Sequence, residues 1–435
     1  MRRRDFLKTL ATLGITAAAF PGMLGMPRTA LGQVPGLYQG PILVTLHARG
    51  GWDHSFFADP RENPTINRWA SAAGAGIAGN LRYAPVGENQ AFFDKYFDSM
   101  LVINGIDVES GSHSSGARYR TTGRLGNGYP QLNELFAAVY GQGLPMAFVG
   151  SDDYGIPGAG LQARSDLPSE ATMRTIANPN DAGNGATHLR LEDYAILRRF
   201  QDQRLQAELA RANQLPRRAT RLNALAEARA GADGLEALAS NLPTAGFDQN
   251  DLAGTRNRLV PKLHLFLATA SAGMTASGVF GMGGYDTHSN HDIDQADALT
   301  DLTRVLDYLW TKATSLGVAD RLIVHVTSDV GRRPFYNARG GKDHASVGSD
   351  LVMRRNVTWT NRIVGATGPG HEKLAINPVT LQVDETFGTR LRPSHVQNEL
   401  RRLLGIDGHP LAQRFPLDAG PVAIFDPNAA TGITV

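Results

Sequence analysis

The chain has 435 residues, 42% of them hydrophobic and 19% charged, with a formal net charge of +2. That balance excludes a wholly disordered chain and allows one large domain or two ordinary ones. There is no cysteine, so disulfides and thiolate metal sites are excluded, and metal ligands must come from His, Asp or Glu.

Residues 1–32 read as an export signal rather than as fold. Arg2-Arg3-Arg4-Asp5-Phe6-Leu7-Lys8 precedes a weakly apolar run from Thr9 to Leu24, and the small-residue site Ala30-Leu31-Gly32 follows. The RR-x-F-L-K arrangement at Arg3–Lys8 looks like the twin-arginine type, with an ordinary Sec signal or an uncleaved anchor as the alternatives. The expected partner is the twin-arginine export machinery, and the expected location is periplasmic or extracellular. No other segment approaches the roughly 18 apolar residues of a membrane span. The segment carries Arg2, Arg3, Arg4, Lys8 and Arg28 against Asp5, a net +4, so the rest of the +2 chain is −2. A mature chain of that sign offers no basic surface for nucleic acid.

Ile42–Leu46 is a continuous apolar strand, the pattern of a sheet covered on both faces. It runs into Gly50-Gly51-Trp52-Asp53-His54, where Asp53 is a candidate metal ligand or a turn-capping residue. Asn63–Ala72 fits a short helix with Asn63 as cap and Pro64 in the first turn. Met100–Asn104 is a second strand, followed by a hydroxyl- and glycine-rich loop, Asp107–Gly116. Within it Ser112 and Ser114 are candidate nucleophiles, and His113 is a candidate for proton transfer or anion contact. A Ser/Gly loop without chemistry is the plain alternative. Gln131–Tyr140 fits a helix, Met146–Val149 a third strand, and Ser151–Asn184 a long surface loop or lid.

Leu191–Leu242 changes character to Ala, Arg, Leu and Glu at helical spacing. Pro216 divides it into helices near Leu191–Asn213 and Arg217–Ala230, a helical insertion projecting from the sheet domain. Asp251–Met274 is a further helix that returns to the core. Gly278–Gly283 is a strand ending in Tyr285-Asp286-Thr287-His288-Ser289-Asn290-His291, three candidate ligands in six residues. Ile293–Leu316 is an amphipathic helix with its stripe at Leu299, Leu302, Val305, Leu306 and Leu309. Leu322–Thr327 is the next strand, completing a βαβ unit with parallel pairing. The loop beyond it gathers Asp329, Arg332, Arg333, Asp343 and His344. Short strands at Leu351–Met353 and Asn361–Gly365 and a closing helix at Pro393–Leu404 follow. His371, His395 and His409 have no partner in sequence and read as surface residues.

Ligands bind at the carboxyl ends of strands in open α/β sheets. Taken together, Asp53, Asp286, His288, Asp329 and His344 therefore suggest a one- or two-metal site. Oxygen and nitrogen donors suit Zn, Mn, Mg or Ca. Arg332 and Arg333 are candidates to hold a phosphate or sulfate oxygen.

Four motifs carry a resemblance. GGWD at Gly50–Asp53, YDTH at Tyr285–His288, SDVGRR at Ser328–Arg333 and DHA at Asp343–Ala345 resemble, in that order, the motifs of the family called domain of unknown function 1501. That family is a branch of the alkaline phosphatase/sulfatase-like superfamily. The resemblance implies a doubly wound, mostly parallel α/β sheet of alkaline phosphatase type. It also implies Asp53 and Asp329 on one metal, Asp286, His288 and His344 on another, and a nucleophile near Ser112–Ser114. The chain departs from the pattern at Val330, where the wider superfamily has a histidine. The function expected on this reading is an exported metal-dependent hydrolase of a phosphate or sulfate ester, Ser112 or Ser114 attacking or metal-activated water taking that role. The rival expectation is a non-catalytic exported protein that keeps the fold to bind an anionic glycan or lipid, or to join an envelope assembly.

Overall fold

The computed structural model describes residues 38–151, 158–167, 169–183, 185–211 and 259–426, together with Leu215, Arg218, Leu222, Leu238 and Asn428. The expected signal, residues 1–32, lies outside the described residues, as does most of the second half of the expected insertion.

An eight-stranded sheet forms the centre. Its strands are β1 (Ile42–Ala48), β2 (Met100–Asp107), β3 (Phe148–Gly150), β4 (Arg164–Ser165), β5 (Ser277–Met282), β6 (Leu322–Ser328), β7 (Val347–Met353) and β8 (Arg362–Val364). Their spatial order is β8-β2-β7-β6-β1-β5-β3-β4. Neighbours run parallel except β7, which is antiparallel to both β6 and β2. The expected mostly parallel α/β sheet is thus observed.

β1 shows why the sheet is covered on both faces. Successive side chains of a strand point to opposite sides. Ile42, Val44, Leu46 and Ala48 enter the core that holds Leu263, Phe266, Leu302 and Leu306. Leu43 enters the opposite core, with Leu135, Phe136, Val396 and Leu400. The helices around the sheet include α1 (Asn89–Tyr96), α2 (His113–Thr122), α3 (Leu132–Tyr140), α4 (Leu191–Leu209), α5 (Leu259–Ser271), α6 (His291–Ser315) and α7 (Pro393–Leu403), of which α5 and α6 supply these residues of the first core and α3 and α7 those of the second. Each fully buried Leu, Ile or Val contributes about 1.5–3 kcal/mol. α5 is apolar nearly all round and buried along its length, consistent with its place in the core.

Several details differ from the sequence reading. β5 and β6 are parallel, but β1 lies between them, so α6 crosses over one strand. Asn63–Ala72 forms a turn and a 3-10 segment at Arg68–Ser71 instead of a helix, because the Asn63 carboxamide accepts from Thr65 N and Asn67 is extended. The Ser151–Asn184 stretch contains β4 and a helix, Glu170–Ala177, capped by Ser169. His371 and His395 are buried at 3% and 4% exposure rather than on the surface. Among the described residues no helix is long and apolar enough to cross a membrane.

Register sets the functional edge. β1 pairs with β6 from Ile42 opposite Leu322 to Ala48 opposite Ser328, and with β5 up to Ala48 opposite Met282. Three carboxyl ends therefore finish side by side, and the loops that leave them meet at once.

Candidate metal centre

Close backbone approach holds these loops together. Gly50 has φ +112°, and a Cβ there would stand 2.5 Å from Asp286 N, so only glycine fits between the first loop and the second. Gly116 on α2 is similar: its Cβ would stand 2.1 Å from Asp329 O. α2 thus lies directly on the third loop and brings His113, in its first turn, over the site.

Three imidazoles and one carboxylate converge here. His113, Asp286 and His344 each offer a ligating atom within 4.8 Å of the others. His288 joins them, with Nε2 3.0 Å from His344 Nε2 and 3.2 Å from Asp286 Oδ1. His344 Nε2 is 3.1 Å from the same Asp286 oxygen, and His113 Nε2 is 3.6 Å from Asp286 Oδ2.

The other nitrogen of each ring is tethered. His113 Nδ1 lies 2.6 Å from Asp329 Oδ2, His288 Nδ1 2.9 Å from Asp343 Oδ1, and His344 Nδ1 2.8 Å from Gly111 O. Those oxygens can only accept, so each Nδ1 carries the proton and donates it. In a neutral ring each Nε2 then presents a lone pair. The convergence is one of acceptors with no proton between them, which is unfavourable unless a cation lies at their centre. Outer-partner hydrogen bonds of this kind fix the tautomer of metal-binding histidines. Ligand atoms about 2.0–2.1 Å from a tetrahedral zinc lie about 3.3 Å apart, close to the spacings seen. The residues present therefore fit a metal ion.

Electrostatics supports the same centre. A hydrogen bond to the fully buried Asp329 raises the His113 pKa. Partial burial works to raise the Asp286 carboxyl, but Arg332 and His344 outweigh it and hold it below its usual value. Asp286, His288 and His344 keep 50%, 35% and 23% exposure, so the centre is open to a ligand. Ser112 and Ser114 are exposed beside it, their hydroxyls 3.3 Å apart at the start of α2.

Residues 87–394 match the family model described as "Protein of unknown function (DUF1501)". The chain belongs to that family. A search of curated proteins finds no match. Among solved structures, a sulfatase from Pseudoalteromonas sp. is 11% identical at a TM-score of 0.38, covering 99% of this chain and 77% of its own. Alkaline phosphatase from the Antarctic bacterium TAB5 is 11% identical at 0.33, covering 73% and 92%. A lipoteichoic acid synthase from Listeria monocytogenes is 9% identical at 0.34, covering 91% and 79%. At these values the likenesses are loose.

Within this DUF1501 chain the candidate residues divide into two groups. Asp286, His288 and His344 come together, and His113, expected as a proton-transfer group, joins them as a fourth donor. Asp329 stands behind His113; its oxygens also accept from Gly50 N at 3.1 and 3.2 Å. Asp53 is elsewhere. Its Oδ2 accepts from Lys342 Nζ at 2.7 Å and His291 Nε2 at 3.0 Å, and its Oδ1 accepts from the Ser55 amide and hydroxyl. The implied sharing of one metal by Asp53 and Asp329 is therefore corrected: an ammonium ion, not a shared centre, neutralises Asp53. Burial alone would raise that carboxyl, but Lys342 and His291 hold it well below the usual range.

Arg332 also differs from expectation. Its guanidinium is buried and bonded to Gly50 O, Gly51 O, Lys342 O and Asp286 Oδ1, so it orients Asp286 and commits most of its donors within the protein rather than to an anion. Arg333 is exposed, with Nε 3.3 Å from His344 O, and remains free to reach outward. Val330 packs with Val108 and Tyr119 in a small apolar cluster, which explains an aliphatic residue at that position.

Lys342 was missed because a lysine in a Gly-Gly-Lys-Asp-His stretch reads as solvent-facing. Here its ammonium lies 5.1 Å from the Phe56 ring centroid, 5.2 Å from that of Tyr336 and 2.9 Å from Asn67 Oδ1.

Proposed function

We propose that this protein is a metal-dependent hydrolase of a phosphate or sulfate ester, exported by the twin-arginine route and active in the periplasm or outside the cell. The observation that carries the reading is the meeting of His113, His288 and His344 Nε2 atoms with Asp286, each ring tethered through Nδ1. A divalent ion held there, from among Zn, Mn, Mg and Ca with the imidazole donors favouring Zn, supplies Lewis-acid stabilisation of a developing negative charge. Arg332 keeps Asp286 turned toward the imidazoles. Arg333 contributes a mobile positive charge at the rim for the anionic group. Ser112 or Ser114 supplies the attacking hydroxyl, and the N–H groups of the first turn of α2 favour the oxyanion.

The test is turnover of aryl phosphate, phosphodiester and aryl sulfate by the mature chain supplied with each metal in turn. Activity in one class is expected, lost by more than about 100-fold in His344→Ala, since even outer-partner losses cost 10–100-fold. Stoichiometric metal without turnover of any class overturns the catalytic reading. It favours a second one, a binding or envelope-assembly protein, to which α4 lends support by exposing Leu191, Ile196 and Phe200.

A further inference from the structure

A second cluster of metal-capable groups lies on the inner side of the first loop. Asp53, His54 and His371 are all buried, at 0%, 0% and 3% exposure, and each offers a ligating atom within 4.8 Å of the others. The two imidazoles lie with ring centroids 4.4 Å apart. Neither Nδ1 nor Nε2 of His54 has a hydrogen-bond partner, and nor has Nε2 of His371. Three unsatisfied ring nitrogens in one enclosed space call for an explanation, because buried polar atoms are nearly always paired.

We propose that Asp53, His54 and His371 form an enclosed site for a divalent transition-metal ion, held by two imidazole nitrogens and one carboxylate oxygen. His371 is oriented for this role. Its Nδ1 faces Arg332 O at 3.4 Å, which directs the proton there and leaves Nε2 as the donor. Burial keeps both rings in the neutral form that metals require, lowering His54 to about 4 and His371 to about 3.

The Asp53 carboxylate can supply a lone pair without losing Lys342. Ser55 Oγ has one proton and two acceptors, Asp53 Oδ1 at 2.6 Å and Asn67 Oδ1 at 3.0 Å. Turning the hydroxyl to Asn67 frees Asp53 Oδ1 for the ion. Nearby, Asp53 and Asp59 face Lys342 and Arg61, so fixed charges already balance. An ion here is therefore held by imidazole more than by net negative charge, which selects a zinc-like ion over Mg or Ca. Enclosure on all sides is the mark of a structural rather than a catalytic centre.

The test separates this site from the exposed one. The full chain carrying His288→Ala and His344→Ala is produced with Zn2+ in the medium and dialysed against a chelator. One equivalent of zinc is expected to remain and to be released only on unfolding in guanidinium. Adding His54→Gln or His371→Gln is expected to remove it. X-ray absorption on the retained zinc covers the case in which those variants do not fold, and two imidazoles at about 2.0–2.1 Å are expected. Retention of no zinc by the folded chain overturns the proposal, as does a zinc shell without imidazole or full retention in the folded His54→Gln variant. Loss of the exposed site's activity bears on none of these readings.

Discussion

His113 Nδ1 stands 2.6 Å from Asp329 Oδ2, a half-exposed imidazole on a fully buried carboxylate. The pair joins the first turn of α2 to the end of β6, so the charge on Asp329 reaches the site through His113. In chelator-treated protein the His113 pKa is expected above 6.5, because Asp329 favours the protonated ring. Asp329→Asn keeps the shape and removes the charge, so NMR titration should show the His113 pKa falling. An unchanged titration would separate the two residues. The sign for stability follows: the raised His113 pKa contributes fully below 6.5, and that contribution is lost as pH rises through the folded value.

Gly116 decides how close α2 comes. A methyl group 2.1 Å from Asp329 O cannot be accommodated without moving the helix. Gly116→Ala is expected to cost about 1–3 kcal/mol in urea unfolding, in the range of overpacked sites. It should also lower metal affinity at the exposed centre, since His113 rides on the same helix. Unchanged stability and unchanged metal binding together would refute this packing account.

The sheet was legible because its central strands are continuous apolar runs: Ile42–Leu46 and Leu322–Thr327 were delimited to within two residues. The meeting of Asp286, His288 and His344 was also legible, since β5 and β6 run parallel on either side of β1 and end at the same edge of the sheet. What could not be read was the direction a side chain takes after a turn. Asp53 follows the glycine pair and turns inward to Lys342, although the family resemblance implies a metal shared with Asp329. His371 reads as a surface residue because nothing within its own segment shows that Arg332 and His54 close over it. Tertiary partners this distant in sequence, 39 positions for Arg332 and His371 and 289 for Asp53 and Lys342, leave no local pattern.

Arg120 on α2 and Asp350 on β7 form an ion pair at 3.0 Å with 0% and 2% exposure. Asp350 also accepts from His325 Nε2 at 3.1 Å and Thr327 Oγ1 at 2.7 Å. Removing one partner leaves a buried charge, so Asp350→Asn or Arg120→Met is expected to cost about 3–5 kcal/mol, read by urea unfolding at pH 7. Burial would raise the Asp350 carboxyl, but Arg120 and the hydrogen bonds bring it below 3.8. A depressed carboxyl stabilises above its unfolded pKa, and the contribution is lost as pH falls through the folded value. In Asp350→Asn the acid limb of the stability profile should be shallower below pH 4. A cost under about 1 kcal/mol would place the pair with weak surface bridges instead.

His395, in the first turn of α7, tests pH dependence away from either metal site. Burial, with Arg392 adding positive charge nearby, lowers its pKa from 6.5 to about 4. Its Nδ1 accepts from the Arg392 amide at 3.1 Å, a bond that a doubly protonated ring cannot accept. In the folded chain the ring therefore stays neutral down to about pH 4, whereas the unfolded chain takes up a proton below 6.5. The unfolded state binds more protons in that interval, so stability is full above 6.5 and falls as pH drops toward 4. Between pH 7 and pH 5 the loss from this one group is about 2 kcal/mol. His395→Gln should be less stable at pH 7, through the lost cap and packing, yet should lose about 2 kcal/mol less than the parent on going to pH 5. Parallel profiles for parent and variant would show that His395 carries no proton linkage to folding.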